Sequence, residues 1–204
     1  MPEGIIVGED GLARCWWADS TPEYRAYHDA EWGFPVADDR RLFEKLCLEG
    51  FQAGLSWLTI LRKREAFREV FANFDFKIVA GFGDDKFAEL MADTRIVRNR
   101  AKIEATINNA ARAIELIESE GSLAHFLWGY EAASGAASLT RSDLPVTTPE
   151  SSALAKEFKR RGWRFLGPTT VYAFMEAMGL VNDHLDGCHC RPQVAAARAE
   201  FERP

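Results

Sequence analysis

Half of the chain's histidines and half of its cysteines fall in one stretch, VNDHLDGCHC, which holds His184, Cys188, His189 and Cys190. The whole sequence has only four of each. Thiolate and imidazole are the ligands of tetrahedral metal sites, and a closed site needs two ligand pairs. His184 and Cys188 are four residues apart, so a helical turn or a tight loop would aim both at one ion. The second pair is sought at the other end, where RCWWADSTPEYRAYHDAEWG carries Cys15 and His28. Such a set would clasp the N-terminal segment to the C-terminal one. His189 and Cys190 compete with Cys188, and the spacing, which matches no standard zinc-finger pattern, does not rank them. On residue types alone, ordinary residues holding no metal remain the alternative. Two thiolates and two imidazoles would fill the shell, whereas a catalytic zinc keeps a position for water, so a metal here is expected to be structural. Cys47, on an apolar helix face, reads as core, and His125 in LAHFLW as structural.

A second group is aromatic. Trp16, Trp17, Tyr24, Tyr27, Trp32 and Trp57 include four of the six tryptophans and follow no simple amphipathic pattern. Indole and phenol rings offer a flat π face and a polar edge, so several together can sandwich a planar ring, and a cationic ring best of all. Plain packing onto the helices is the competing reading. Glu49 ends the apolar stretch LFEKLCLEG, just before Gly50. A carboxylate at a helix C-terminus meets the unfavourable end of the dipole, and its apolar company implies partial burial. That cost points to function, unless the side chain turns out into water.

The elements that must position these groups read as helices throughout. DDRRLFEKLCLEG places Leu42, Phe43, Leu46 and Cys47 at helical spacing and is expected to stop at Gly50. Ser56 can cap SWLTILRKREAFREVF. DDKFAELMADT, RNRAKIEATINNAARAIELIES and SLAHFLWGY follow as helices, and EAASGAASLTRSDLP as a surface loop. TPESSALAKEFKRRG starts with Pro149 just inside and stops at Gly162, and PTTVYAFMEAMG repeats the pattern. No repeat and no Asn-Gly hairpin signal interrupts them, so the expected class is all-α. The 204 residues suffice for a substantial core, and no apolar run approaches membrane-spanning length. The N-terminus lacks the basic start and long apolar stretch of a secretory signal, so an intracellular protein is expected. A net charge of −6 argues against broad coating of nucleic acid but leaves a local basic face open.

RCWW, YRAYHDAEWGFP, LFEKLCLEGFQAGLSW, ILRKREAFREVF, FKRRGWRFLGPTTVYAFMEAMGLVNDH and GCHC, in that order, closely resemble the 3-methyladenine DNA glycosylase I family of the helix-hairpin-helix superfamily. The resemblance runs from about Arg14 to Cys190. It implies a glycosylase-like helical domain over residues 14–190, with 1–13 as an extension and 191–204 as a tail. It implies one structural zinc, on Cys15, His28, His184 and Cys188. It also implies a pocket in which Glu49, the candidate catalytic residue, and Tyr27 read the edge of a flipped adenine while Trp57 stacks on its face. Tyr24, Trp17 and Trp32 match further pocket aromatics. The turn QAGLSW matches the segment that meets the gap in the DNA, which makes Gly54 and Leu55 the wedge candidates. The hairpin is expected at about 93–102, DTRIVRNRAK, with Arg95, Val97 and Arg98 as DNA contacts and Arg100 adding local charge. Its N–H groups and the following helix N-terminus would hold a phosphate, although the segment lacks the glycines usual in such turns.

The implied activity is base-excision repair: a monomer in the bacterial cytoplasm, associated with the nucleoid through DNA, hydrolyses 3-methyladenine from alkylated double-stranded DNA and leaves an abasic site. A base methylated at N3 is cationic, so its glycosidic bond is already weak. The work left is to extrude the nucleotide and hold the departing base. A non-catalytic zinc-stapled DNA-binding module would leave the aromatics and Glu49 unused, and a zinc hydrolase would need an open metal position.

Overall fold

The computed structural model describes residues 2–132 and 139–204. It opens on a small antiparallel hairpin in which β1 (Ile5–Val7) pairs with β2 (Ala13–Cys15), Ile5 opposite Cys15. Asp10 and Gly11 lie in the turn, with Gly11 at φ 76° and the Asp10 carboxylate accepting from the Leu12 N–H. Asp-Gly is a hairpin signal. Three-residue strands, however, are too short to show alternation, so this sheet is an addition to the all-helical expectation.

Everything else is helix and connection. α1 (Pro22–Ala30) is capped by Thr21, α2 (Asp39–Gln52) by Asp38, and α3 (Trp57–Val70) by Ser56, as its sequence predicts. Two short helices, α4 (Phe76–Val79) and α5 (Asp84–Ala92), lead to the long α6 (Arg100–Glu120), which ends at Gly121. After α7 (Leu123–Trp128) come α8 (Pro149–Arg160), with a capping box at Thr148, and α9 (Pro168–Ala177). The expected loop EAASGAASLTRSDLP falls partly outside the described residues; Arg141–Asp143 within it form a 3-10 turn. Residues 190–200 form α10 (Cys190–Glu200), which buries Val194 and anchors Arg198 on the Gly179 carbonyl at 2.6 Å. Among the described residues, no helix is long and apolar enough to cross a membrane.

The central element is α2, which packs against α3, α6, α7 and α9. A helix covered on so many sides must be apolar nearly all round, and residues from Leu42 to Phe51 are buried with the exception of Glu44. The helix does not stop at Gly50 but continues to Gln52. A mid-helix glycine costs about 1 kcal/mol relative to alanine. Burying Phe51 against Phe67 and Phe71 (ring centroids at 4.5 and 6.0 Å) outweighs that, at roughly 1.5–3 kcal/mol for a buried phenylalanine. Glu49 therefore sits in the last turn of the helix rather than at its end.

The segment after α1 is laid against the end of α9, where Gly33 N–H donates to the Ala177 carbonyl and Val36 N–H to Met178. Gly179 permits this approach. Its φ is 80°, and a Cβ there would lie 2.6 Å from Pro35 backbone atoms. Gly179→Ala is expected to destabilise the protein by about 3 kcal/mol, from backbone strain plus overpacking. For a chain this size that lowers the thermal midpoint by roughly 6–12 °C. An unchanged melting curve would show that the segment yields freely.

Candidate functional site

The aromatic group of the N-terminal segment closes around one cavity of about 300 Å³. The turn after β2 supplies Trp16 and Trp17, α1 supplies Tyr24 and Tyr27, and the turn after α1 supplies Trp32; α2 supplies Lys45, Glu49 and Gln52; α3 supplies Trp57; and α9 supplies Ala173 and Glu176. The rings meet largely edge to face: Trp17 lies 5.1 Å from Trp32 at 85° and 5.6 Å from Tyr24 at 75°. Such contacts hold each ring without stacking it away. Tyr24 Oη accepts from the Leu58 N–H at 3.0 Å, which satisfies a free donor in the first turn of α3 and ties α1 to it. The indole Nε1 of Trp57 is buried with no partner among the described residues. Glu49 is 5% exposed, so its side chain does not turn into water. Thus the structure gathers Glu49, Tyr27, Trp57, Tyr24, Trp17 and Trp32 at a single cavity.

Lys45 and Glu176 were not anticipated. Lys45 Nζ lies 2.7 Å from Glu49 Oε1 and donates to Tyr27 Oη at 2.8 Å. The available signal was opposite charges one helical turn apart on an otherwise apolar helix. Glu176 hydrogen-bonds Asp183, which in turn accepts from Tyr172 Oη. Burial, followed by the neighbouring Asp183 and Glu49 charges, pushes the Glu176 carboxyl well up, favouring its neutral form.

The second constellation joins the chain ends. Cys15, His28, His184 and Cys188 are buried, and their donor atoms lie within 4.8 Å of one another. Cys188 Sγ is 3.5 Å from both His28 Nε2 and His184 Nδ1, and Cys15 Sγ is 3.9 Å from His184 Nδ1. With metal–sulfur and metal–nitrogen bonds of about 2.3 and 2.0 Å, tetrahedral edges come out near 3.5 Å, so the set fits a metal. The outer ring nitrogens complete the argument. His184 Nε2 faces the Trp32 carbonyl at 3.0 Å, and His28 Nδ1 faces Asp29 Oδ1 at 2.8 Å. Protons on those outer nitrogens leave both inner lone pairs pointing at the centre.

His189 and Cys190, the competitors for Cys188, gather instead around Asp29: His189 Nε2 is 3.1 Å and Cys190 Sγ 3.7 Å from Asp29 Oδ1. Burial raises the Asp29 carboxyl, but the Arg14, His28 and His189 donors hold it well below the usual carboxylate range. Arg14, itself buried, reaches Asp29 at 2.7 Å and also binds Asp10 in the hairpin turn. Asp29 is therefore already saturated with donors and serves as the outer support of His28.

A profile of the methyladenine glycosylase family matches residues 17–191. The chain belongs to this family. Over 183 residues it is 43% identical to DNA-3-methyladenine glycosylase 1 of Escherichia coli (strain K12), covering 89% of this chain and 98% of that protein. It is 42% identical over 182 residues to the Haemophilus influenzae DNA-3-methyladenine glycosylase, covering 87% and 97%. A crystal structure of a 3-methyladenine DNA glycosylase I superposes with a TM-score of 0.84 at 45% identity, covering 88% of this chain and 100% of that one. The Staphylococcus aureus enzyme, solved to explain 3-methyladenine recognition, gives a TM-score of 0.83 at 38% identity over 86% and 95%.

The remaining candidates in this methyladenine glycosylase-family chain are the residues expected to meet DNA. The turn between α2 and α3 carries Gly54, at φ 79°, and Leu55, 41% exposed. Lys102, in the first turn of α6, donates to the Phe51 and Ala53 carbonyls at 2.8 and 2.5 Å. It thereby caps the end of α2 and fastens this turn to the start of α6. Within that connection Ile96 is buried and Val97 packs against the core, so Val97 offers mainly its backbone outward. Arg95 is engaged by Asp93 at 2.8 Å and Glu69 at 2.7 Å, so its charge is locally cancelled. Arg100 pairs with Glu104. Arg98 is exposed and has no ion pair among the described residues, which makes it the arginine best able to take a phosphate.

Proposed function

We propose that the chain is a hydrolytic DNA glycosylase that flips 3-methyladenine out of alkylated double-stranded DNA and releases it, leaving an abasic site. The observation that carries this reading is the aromatic cavity with Glu49 buried in its wall, in a member of the methyladenine glycosylase family. Glu49 and Tyr27 read the edge of the base and Trp57 its face, with Tyr24, Trp17 and Trp32 closing the remaining sides. Leu55 and Gly54 fill the gap left in the duplex. The connection carrying Arg95, Val97 and Arg98 contributes a phosphate contact, chiefly through Arg98.

The bond that breaks is the glycosidic bond at N9 of the methylated adenine. Its electron pair passes to the ring and neutralises the positive charge there. A water oxygen forms the new bond to the sugar carbon and gives up one proton to solvent. No acid is needed to protonate the base, so binding, flipping and enclosure supply the acceleration. Cys15, His28, His184 and Cys188 hold one zinc, which braces the chain ends and takes no part in the reaction. The protein works as a monomer in the cytoplasm, at the nucleoid.

Incubation with DNA treated with a methylating agent, followed by chromatography of the released bases, tests the reading: 3-methyladenine is expected in the supernatant. Binding to abasic DNA without any base release would instead identify a DNA-binding module. A finer test concerns Arg98. Arg98→Ala is expected to weaken binding to abasic DNA and to reduce the slope of log affinity against log salt by about one unit, as for a single phosphate contact. Affinity for free 3-methyladenine should stay at the wild-type value, and an equal loss there would place Arg98 in the pocket instead.

A further inference from the structure

The cavity already contains a cation. Lys45 is buried on α2, with its ammonium 2.7 Å from Glu49 Oε1, 2.8 Å from Tyr27 Oη and 3.4 Å from the centre of the Trp57 ring. Those are the carboxylate, the phenol and the π face assigned above to a cationic purine. A long lysine side chain ordinarily carries its head to water. This one is turned inward, where an ammonium is tolerated only with close partners. Burial lowers its affinity for the proton, and Glu49 opposes that shift.

Other charges near the cavity are answered locally. Arg64 forks onto Glu31 at 2.6 and 2.9 Å, and Glu176 is held toward its neutral form beside Asp183. Glu49 and Lys45 are thus the two opposing charges that a bound ring meets at close range.

We propose that Lys45 is a specificity-determining residue: its ammonium offsets the Glu49 charge, so the pocket selects methylated purines more by shape and hydrogen bonding than by ring charge. Neutral methylated purines are then accepted alongside cationic ones. The proposal rests on this cavity being the base site. A ring stacked within about 7 Å of a like charge, at an effective dielectric of about 20, loses tenfold or more in affinity. Removing the ammonium should therefore favour the cation selectively.

Calorimetric titration of the full chain with two probes tests this at about pH 8: the permanently cationic 3,9-dimethyladeninium, and 3-methyladenine, which is neutral there. Lys45→Met is expected to tighten the cation about tenfold or more while leaving the neutral probe within about threefold. Glu49→Gln leaves the ammonium unopposed and should weaken the cation most. The double variant Glu49→Gln/Lys45→Met should then recover about tenfold over Glu49→Gln alone, although it has lost both charges. Lys45→Gln, which keeps a donor for Tyr27, repeats the comparison should methionine disturb folding. If Lys45 only holds Glu49 in position, its loss weakens both probes and the double variant stays as weak as Glu49→Gln, which overturns the proposal. Wild-type protein that binds neither probe overturns the base-site reading and the offset with it. Wild-type binding without recovery in the double variant overturns the offset alone.

Discussion

Glu49→Gln is expected to slow release of 3-methyladenine from alkylated DNA by about 100-fold, equivalent to ~2.7 kcal/mol. Three losses combine. The methylated nucleotide loses a charge-assisted hydrogen bond, worth about 1.5–3 kcal/mol. An amide donor replaces one acceptor oxygen and meets the donating edge of the base. Finally, the Lys45 ammonium, 2.7 Å away in the wild type, is left facing a cationic ring with no counter-charge. The shape of the side chain is kept, so zinc content and fold should survive. Trp57→Ala is the companion measurement, expected to weaken base binding by roughly 1–3 kcal/mol through lost stacking. Wild-type release and affinity in folded Glu49→Gln protein would mean that the base binds elsewhere on the chain.

The second large effect concerns stability. Cys188→Ser should abolish tight zinc binding, because Cys188 Sγ stands between the two inner imidazole nitrogens. A closed metal site contributes folding free energy directly. A loss of at least about 3 kcal/mol lowers the thermal midpoint by roughly 6–12 °C in a chain of this length. Hydrogen exchange should quicken together in β1–β2 and in α10, while α2 and α6 stay protected. A chelator should lower the wild-type midpoint toward that of the variant and leave the variant itself unmoved. Protein purified without chelators and found free of zinc would end this account. Loss of metal in Cys190→Ser but not in Cys188→Ser would move the fourth ligand without dissolving the clasp.

Much of the site was legible because its residues break the patterns that folding alone produces. Trp17, Tyr24, Trp32 and Trp57 are large aromatics at positions no helical stripe requires, and Cys15 and His28 have few equivalents elsewhere. The cap at Ser56 was legible too, since it acts within its own first turn. What escaped depends on distant neighbours. Arg95 looks like an available cation until Glu69, 26 residues away, is brought against it. Gly50 looks like a stop until Phe51 finds Phe67 and Phe71. Lys45 resembles a surface lysine because nothing local shows that α2 is enclosed on the side where it projects. The β1–β2 hairpin went unread, because strands of three residues leave no alternation to find.

The clasp also has a consequence in time. Cys15 and His184 are 169 residues apart, and His28 and Cys188 are 160 apart, yet their donor atoms meet. On a ribosome adding about 5–20 residues per second, the N-terminal pair emerges roughly 10–30 s before its partners. During that interval Cys15 has no native partner and must stay reduced and unclaimed by other metals. The four-donor set exists only once synthesis has passed Cys188, so a chain terminated before that residue lacks it. Zinc bound to these four donors would therefore mark a chain translated at least through Cys188.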